Sequence, residues 1–268
     1  MSYQEALDYL LAQLPMFQKQ GASAFKKGLD NILSLCEILD NPHQKFRTIH
    51  VAGTNGKGSS SHLLAAVLQA AGYKVGLYTS PHLKNYTERI RINGQEISEN
   101  WVVDFVQKNK KSLDTLSPSF FEVSVAMAFD YFAQEKVDVA VIEVGMGGRL
   151  DSTNVISPLL SLITNISFDH QQFLGDTLPL IAAEKAGIIK KNTPVVISEK
   201  HPETESVFRQ KAQTETAPIF FAQDFFEIRN KENGFFDVFK YQELFLENMT
   251  CQLKGSYQSK NWVGVLQS

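Results

Sequence analysis

Between His50 and Ser60 the chain reads HVAGTNGKGSS, a short apolar run that enters a turn of three glycines, a lysine and then serines. Those residue types in that order suit an anion. Gly53, Gly56 and Gly58 let the backbone wrap oxygens closely, and the helix expected from about Ser60 adds its N-terminal N–H groups. Lys57 supplies charge and Ser59 a hydroxyl. The common GxxxxGK[ST] pattern is not met, because Val51 stands at the first glycine position and Gly58 separates Lys57 from Ser59. A second block, VIEVGMGGRLDSTN from Val141 to Asn154, places Glu143 at the end of an apolar strand. Open α/β sheets bind ligands beyond that end of their strands, and a carboxylate oxygen there suits a hard divalent cation. The plainer alternative is a glutamate that caps backbone or pairs with Arg149.

Lys185 carries the third signal. In a helix predicted over Leu178 to Ala186 it lies one turn from Ile181 and Ala182, on the inward face. Burial disfavours the charged form of a lysine, and a neutral amine can add carbon dioxide to give a carbamate, an anionic oxygen ligand. The plainer alternative is a surface lysine paired with Glu184. His50, His62, His82 and His201 stand outside any motif and are read as structural; His170 stands apart only through the Asp169-His170 pair.

The string AGTNGKGS resembles the phosphate loop of the folylpolyglutamate and dihydrofolate synthases, within the Mur ligase superfamily. TSPHL from Thr79, YTERIRING from Tyr86, FFE from Phe120, the Asp169-His170 pair and EKAGI from Glu184 agree with that family in order and spacing. The resemblance covers nearly the whole chain. It implies ATP binding by Thr54, Asn55, Gly56, Lys57, Gly58, Ser59 and Asn261, and magnesium held by Ser80, Glu143, His170 and Lys185. Lys57, Lys185 and His170 take the catalytic roles, with Lys185 carbamylated. Gly28, Ser119, Leu150, Asp151 and Ser152 match the folate-binding positions, while Lys26 and Lys27 depart from the more acidic or apolar residues expected beside Gly28. The implied activity is ATP- and Mg2+-dependent addition of L-glutamate to folate or dihydropteroate through an acyl phosphate. A cell-wall ligase acting on a nucleotide-linked muramyl substrate is the nearest rival, and Lys57-Gly58-Ser59 with GMGGRLDSTN favours folate. A non-catalytic nucleotide-binding fragment is the rival of another class.

These residues need a scaffold. From Arg47 short apolar strands at Thr48 to Ala52, Val75 to Tyr78, Val137 to Val144, Leu159 to Ile163, Pro194 to Ile197 and Ile219 to Phe221 alternate with helical patterns, which predicts an α/β fold with a parallel sheet flanked by helices. The helices are expected at Ser59 to Ala71, Glu99 to Lys111, Phe120 to Gln134, Leu178 to Ala186 and Glu203 to Thr214. Residues 1–46 read as a helical segment of the same ATP domain, opened by a Ser2/Glu5 capping box and continued by a second helix after Gly28 with Cys36 inward. Residues 47–223 form the ATP-binding part; residues 224–268 read as a small β-rich flap, with a turn at Asn233-Gly234, and the start of a helix. The pattern stops at Ser268, and the family's C-terminal α/β domain, on the order of a hundred residues, is expected beyond it.

Composition narrows the function. A net charge of -3 with scattered basic residues predicts neither nucleic-acid nor anionic-membrane binding. Two distant cysteines, Cys36 and Cys251, suggest no disulfide framework, and no run is long enough to span a bilayer. A cytoplasmic protein with small-molecule substrates, monomeric at full length, is the expectation.

Overall fold

The computed structural model of the chain describes residues 1–13, 28–253, 255 and 257–268; Lys26 and Lys27 lie outside them. Eight strands form one sheet in the order β4-β3-β2-β5-β1-β6-β7-β8. They are β1 (Arg47–Ala52), β2 (Val75–Tyr78), β3 (Ile90–Ile92), β4 (Gln95–Glu96), β5 (Val139–Glu143), β6 (Leu160–Ile163), β7 (Val195–Ile197) and β8 (Ile219–Phe221). The six strands β2, β5, β1, β6, β7 and β8 pair in parallel, as their unbroken apolar runs predict for strands covered on both faces. The edge differs from that expectation. Beyond β2 the YTERIRING segment folds into the antiparallel pair β3–β4, strands too short to leave a periodic pattern.

Helices cover the sheet. Described here are α1 (Tyr3–Gln13), α2 (Asp30–Ile38), α3 (Lys57–Ala70), α4 (Glu99–Leu116), α5 (Phe120–Gln134), α6 (Gln171–Leu174), α7 (Leu178–Ala186), α8 (Pro202–Thr214) and α9 (Gln258–Gln267). Their starts follow side-chain oxygens. Ser2 and Glu5 exchange backbone bonds at the start of α1, Ser98 caps α4, Ser119 and Glu122 form a capping box on α5, and Thr177 caps α7. Helix α4 runs past Lys111 to Leu116 because Leu113 continues its buried face.

Helices α1, α2, α4 and α5 bury one apolar cluster on one side of the sheet, with Leu10, Ile32, Cys36 and Phe129 fully enclosed. The N-terminal helices are thereby part of the same body as the sheet. On the opposite side α3 and α9 share a cluster with β1, β2 and β5, through Leu63, Leu64, Val263 and Val265. The same cluster takes in Phe236 and Val238 from a three-stranded antiparallel sheet of β9 (Phe226–Asn230), β10 (Phe235–Lys240) and β11 (Glu243–Thr250). Its first turn covers Glu232–Gly234, where a hairpin was expected; its second turn uses Tyr241 and Gln242, both at positive φ.

Candidate active site

The register of the central strands brings the motifs to one rim. Val51 on β1 pairs with Glu143 on β5, and Tyr78 on β2 pairs with Ile142, so residues 53–59, 79–80 and 143–151 all leave the sheet at its C-terminal edge. The turn after β1 needs its glycines. Gly53 and Gly56 have φ of 147° and 83°, and a Cβ on either would collide, with Thr164 in the first case and with Asn261 in the second. Helix α3 starts at Lys57, which points the N–H groups of its first turn toward the loop.

The loop is braced from β6. Thr54 N donates to Asn165 O at 2.8 Å and Asn55 N to Asn165 Oδ1 at 2.9 Å, while Thr164 Oγ1 donates to Asn55 O at 2.6 Å. Thr54 Oγ1 donates to Ser167 O at 3.1 Å. From the far end of the sequence, Gln258 Nε2 donates to Ser59 Oγ at 3.3 Å, and Asn261 Nδ2 donates to Gln258 Oε1 at 2.8 Å. Gln258 was not read from the sequence; its spacing of three residues from Asn261 on a helix was the available signal.

Two lysines meet on one carbonyl. Lys57 Nζ donates to Gly53 O and Thr54 O, each at 3.1 Å, and Lys185 Nζ donates to Gly53 O at 2.9 Å. Lys185 is 3% exposed. Burial, reinforced by the Lys57 charge, brings its pKa down to about 7, against the pull of Asp169 and Asp151. Its neighbour Glu184 faces Arg149 instead, at 2.8 Å, so the surface-pair alternative does not hold. Glu143, 4% exposed, accepts from Ser80 N at 3.1 Å and lies 3.8 Å from where a Cβ on Gly58 would stand. Burial pushes its carboxyl up to about 7, with the Lys57 charge and the Ser80 N–H pulling the other way. It does not pair with Arg149.

The remaining predicted positions separate. Asp151 is buried and bound by its own loop: it accepts from Met146 N, from Thr153 N and from Thr153 Oγ1, while His50 Nε2 lies 2.9 Å from that hydroxyl. Leu150 and Ser152 on either side are half-buried. Ser119 spends its hydroxyl on Glu122 N as the helix cap, and Gly28 precedes α2 at φ 132°. His170 starts α6 in the left-handed region, with its side chain 43% exposed and Asp169 at 3.6 Å. Among the described residues no group of three or more His, Cys, Asp or Glu side chains could hold a metal ion. A magnesium ion, which keeps several waters and takes few protein oxygens, needs no such cage, and the buried Glu143 carboxylate beside the phosphate loop suits it.

A family model, the Mur ligase middle domain, matches residues 51–268. The chain belongs to the Mur ligase family. Within that family it is 40% identical over 270 residues to a dihydrofolate synthase/folylpolyglutamate synthase of Bacillus subtilis, covering 97% of this chain and 61% of the relative. A solved FPGS complex with AMPPCP and folate superposes with a TM-score of 0.90 at 37% identity, covering all of this chain and 66% of that one. An Escherichia coli structure in complex with DHPP and ADP gives 0.85 at 30% identity, covering 100% and 61%. The Mur ligase chain described here thus spans about three fifths of the curated relative's length. Among its described residues no helix is long and apolar enough to cross a membrane.

Proposed function

We propose that this chain forms the ATP-binding part of a cytoplasmic amide ligase that joins L-glutamate to the carboxylate of a folate or dihydropteroate acceptor. The observation that carries this reading is the meeting of Lys57 and Lys185 on the Gly53 carbonyl, with Glu143 buried beside Gly58. That arrangement gathers two amines and a carboxyl where phosphates would lie, and the relatives and solved neighbours are folate ligases, some carrying nucleotide and folate.

Lys57 would leave its two carbonyls for the phosphate oxygens, joined by the N–H groups of the glycine turn and of α3. Asn261, against Gly56, would meet the nucleotide. A carboxylate oxygen of the acceptor then attacks the γ-phosphorus, the bond to the bridging oxygen breaks, and ADP leaves. Attack of the glutamate amine on the acyl carbon expels phosphate, and the amine proton goes to solvent. Positioning and electrostatics carry such a reaction, with no covalent protein intermediate. Ser80, Glu143, His170 and Lys185 would hold magnesium. When bound, that ion neutralises phosphate oxygens and keeps Glu143 ionised despite its burial. A neutral Lys185 amine would add carbon dioxide and lose a proton, giving the carbamate. Leu150 and Ser152, beside the inward Asp151, would touch the acceptor, along with the loops at Gly28 and Ser119.

ADP formation by the chain with ATP, magnesium and pteroate, compared with a UDP-linked muramyl acid, tests the reading. Stimulation by the pteridine acid alone is expected; stimulation by the muramyl acid alone would transfer the chain to the cell-wall branch.

A further inference from the structure

Where β2 gives way to the antiparallel edge, Arg89 is only 5% exposed. Burying a guanidinium is costly unless a partner offsets the lost hydration. Its neighbour Arg91 has one, Glu96, at 3.1 Å. Arg89 has none: among the described residues no carboxylate lies within the 4.0 Å of an ion pair. It is held by neutral groups instead. Nε donates to His82 Nδ1 at 2.8 Å, and Cζ lies 5.3 Å from the centroid of the Phe120 ring. Its two Nη nitrogens meet no acid, only the neutral Tyr78 hydroxyl.

The position points to a ligand. The Arg89 charge acts on Glu143, on the rim of the site, and on the buried Tyr78 hydroxyl. Tyr78 packs against Phe121 at 6.2 Å between ring centroids, and Phe121 lies against Gly145 in the loop that Asp151 braces. Lys57 and the start of α3 address the nucleotide side of Glu143; Arg89 comes from the β2–β3 corner, beside the aromatic pair Phe120 and Phe121. A ligand that combines an aromatic body with a carboxylate fits that wall, and a planar guanidinium matches a carboxylate through two parallel hydrogen bonds.

We propose that Arg89 binds the reacting carboxylate of the acceptor and orients it toward the γ-phosphate. This inference rests on the folate reading above. It makes Arg89 a substrate-binding residue, His82 its positioning partner, and Phe120 with Phe121 the wall for the aromatic ring.

Binding of pteroic acid and of its carboxamide to the 268-residue chain, followed by tryptophan fluorescence with AMPPCP and magnesium present, tests the assignment. The wild-type chain should prefer the acid over the amide by roughly tenfold to a hundredfold, the range for a charge-assisted pair. Arg89→Met should erase that preference while AMPPCP affinity stays within about twofold, which also certifies the fold. Arg89→Lys, which keeps the charge and loses the fork, should fall between and serves if the methionine variant does not fold. An unchanged acid-to-amide ratio in either variant overturns the proposal. So does a loss of AMPPCP affinity as large as the loss of pteroate affinity in Arg89→Lys, which would move the arginine to the nucleotide. A wild-type chain that binds AMPPCP but neither pteridine overturns the folate reading itself, and the Arg89 assignment with it.

Discussion

At the rim of the large sheet Glu143, Lys185 and Arg89 are 4%, 3% and 5% exposed, and none has an opposite charge within ion-pair distance among the described residues. On the small sheet Arg229 faces Glu227 at 2.8 Å, with both side chains about half exposed to water. Exposed pairs of the second kind are inexpensive to make and of little consequence to lose. Ionisable groups buried without an opposite charge cost stability, and they concentrate at functional sites. The difference separates charges that solvent and a partner already satisfy from groups that the fold buries without one.

Lys57→Ala tests the contrast at its strongest point. Nucleotide affinity should fall by about a hundredfold or more, because a charge-assisted phosphate contact is lost, while the melting temperature stays near that of the wild type. Calorimetry with AMPPCP showing unchanged affinity would remove Lys57 from the nucleotide site. Lys185→Met should separate stability from function: the apolar side chain suits the buried position and should raise unfolding free energy by about 1 kcal/mol in urea, with pteroate-stimulated ADP formation abolished. A destabilised but active variant would make Lys185 a structural residue.

His50 supplies an acid-sensitive element in the same rim. Burial lowers its pKa from 6.5 to about 3, so below 6.5 the unfolded chain binds the proton and the folded chain does not. Its stabilising contribution is therefore present above pH 6.5 and lost as the pH falls from there toward about 3. Glu143, raised by burial, acts in the opposite sense over part of that range, so the comparison is made against His50→Gln, in which the Glu143 effect cancels. Between about pH 7.5 and 5.5 the wild type should lose about 1.4 kcal/mol more than the variant. Parallel pH profiles would place a proton on the folded His50. The smallest effect belongs to the small sheet: Arg229→Ala should leave both melting temperature and AMPPCP affinity within experimental error, and a measurable loss of affinity would extend the site to that sheet.

Much of this rim was readable in the sequence because its chemistry and its secondary structure share residues. The glycines around Lys57 mark both a phosphate cradle and a strand-to-helix turn, and the spacing of Ile181, Ala182 and Lys185 places the lysine inward. Other parts left weaker traces. Strands β3 and β4 span three and two residues, too few for a period to register, so nothing in YTERIRING singles out Arg89. The second turn of the small sheet uses Tyr241 and Gln242 at positive φ, residue types that carry no turn signal. Asp151 matched a substrate position, yet its carboxylate is consumed by Met146 and Thr153, a use that depends on how the loop closes.

The bond from Gln258 to Ser59 joins positions 199 residues apart. The glycine turn that opens α3 is therefore finished by a helix made much later in synthesis. A ribosome-bound chain can join β1 and β2 through β5 once residue 143 has emerged, but it cannot seat Asn261 against Gly56 until α9 has emerged. Contacts of such long separation form late and slowly. A nascent chain would consequently pair its central strands before the glycine turn has its last bracing contacts.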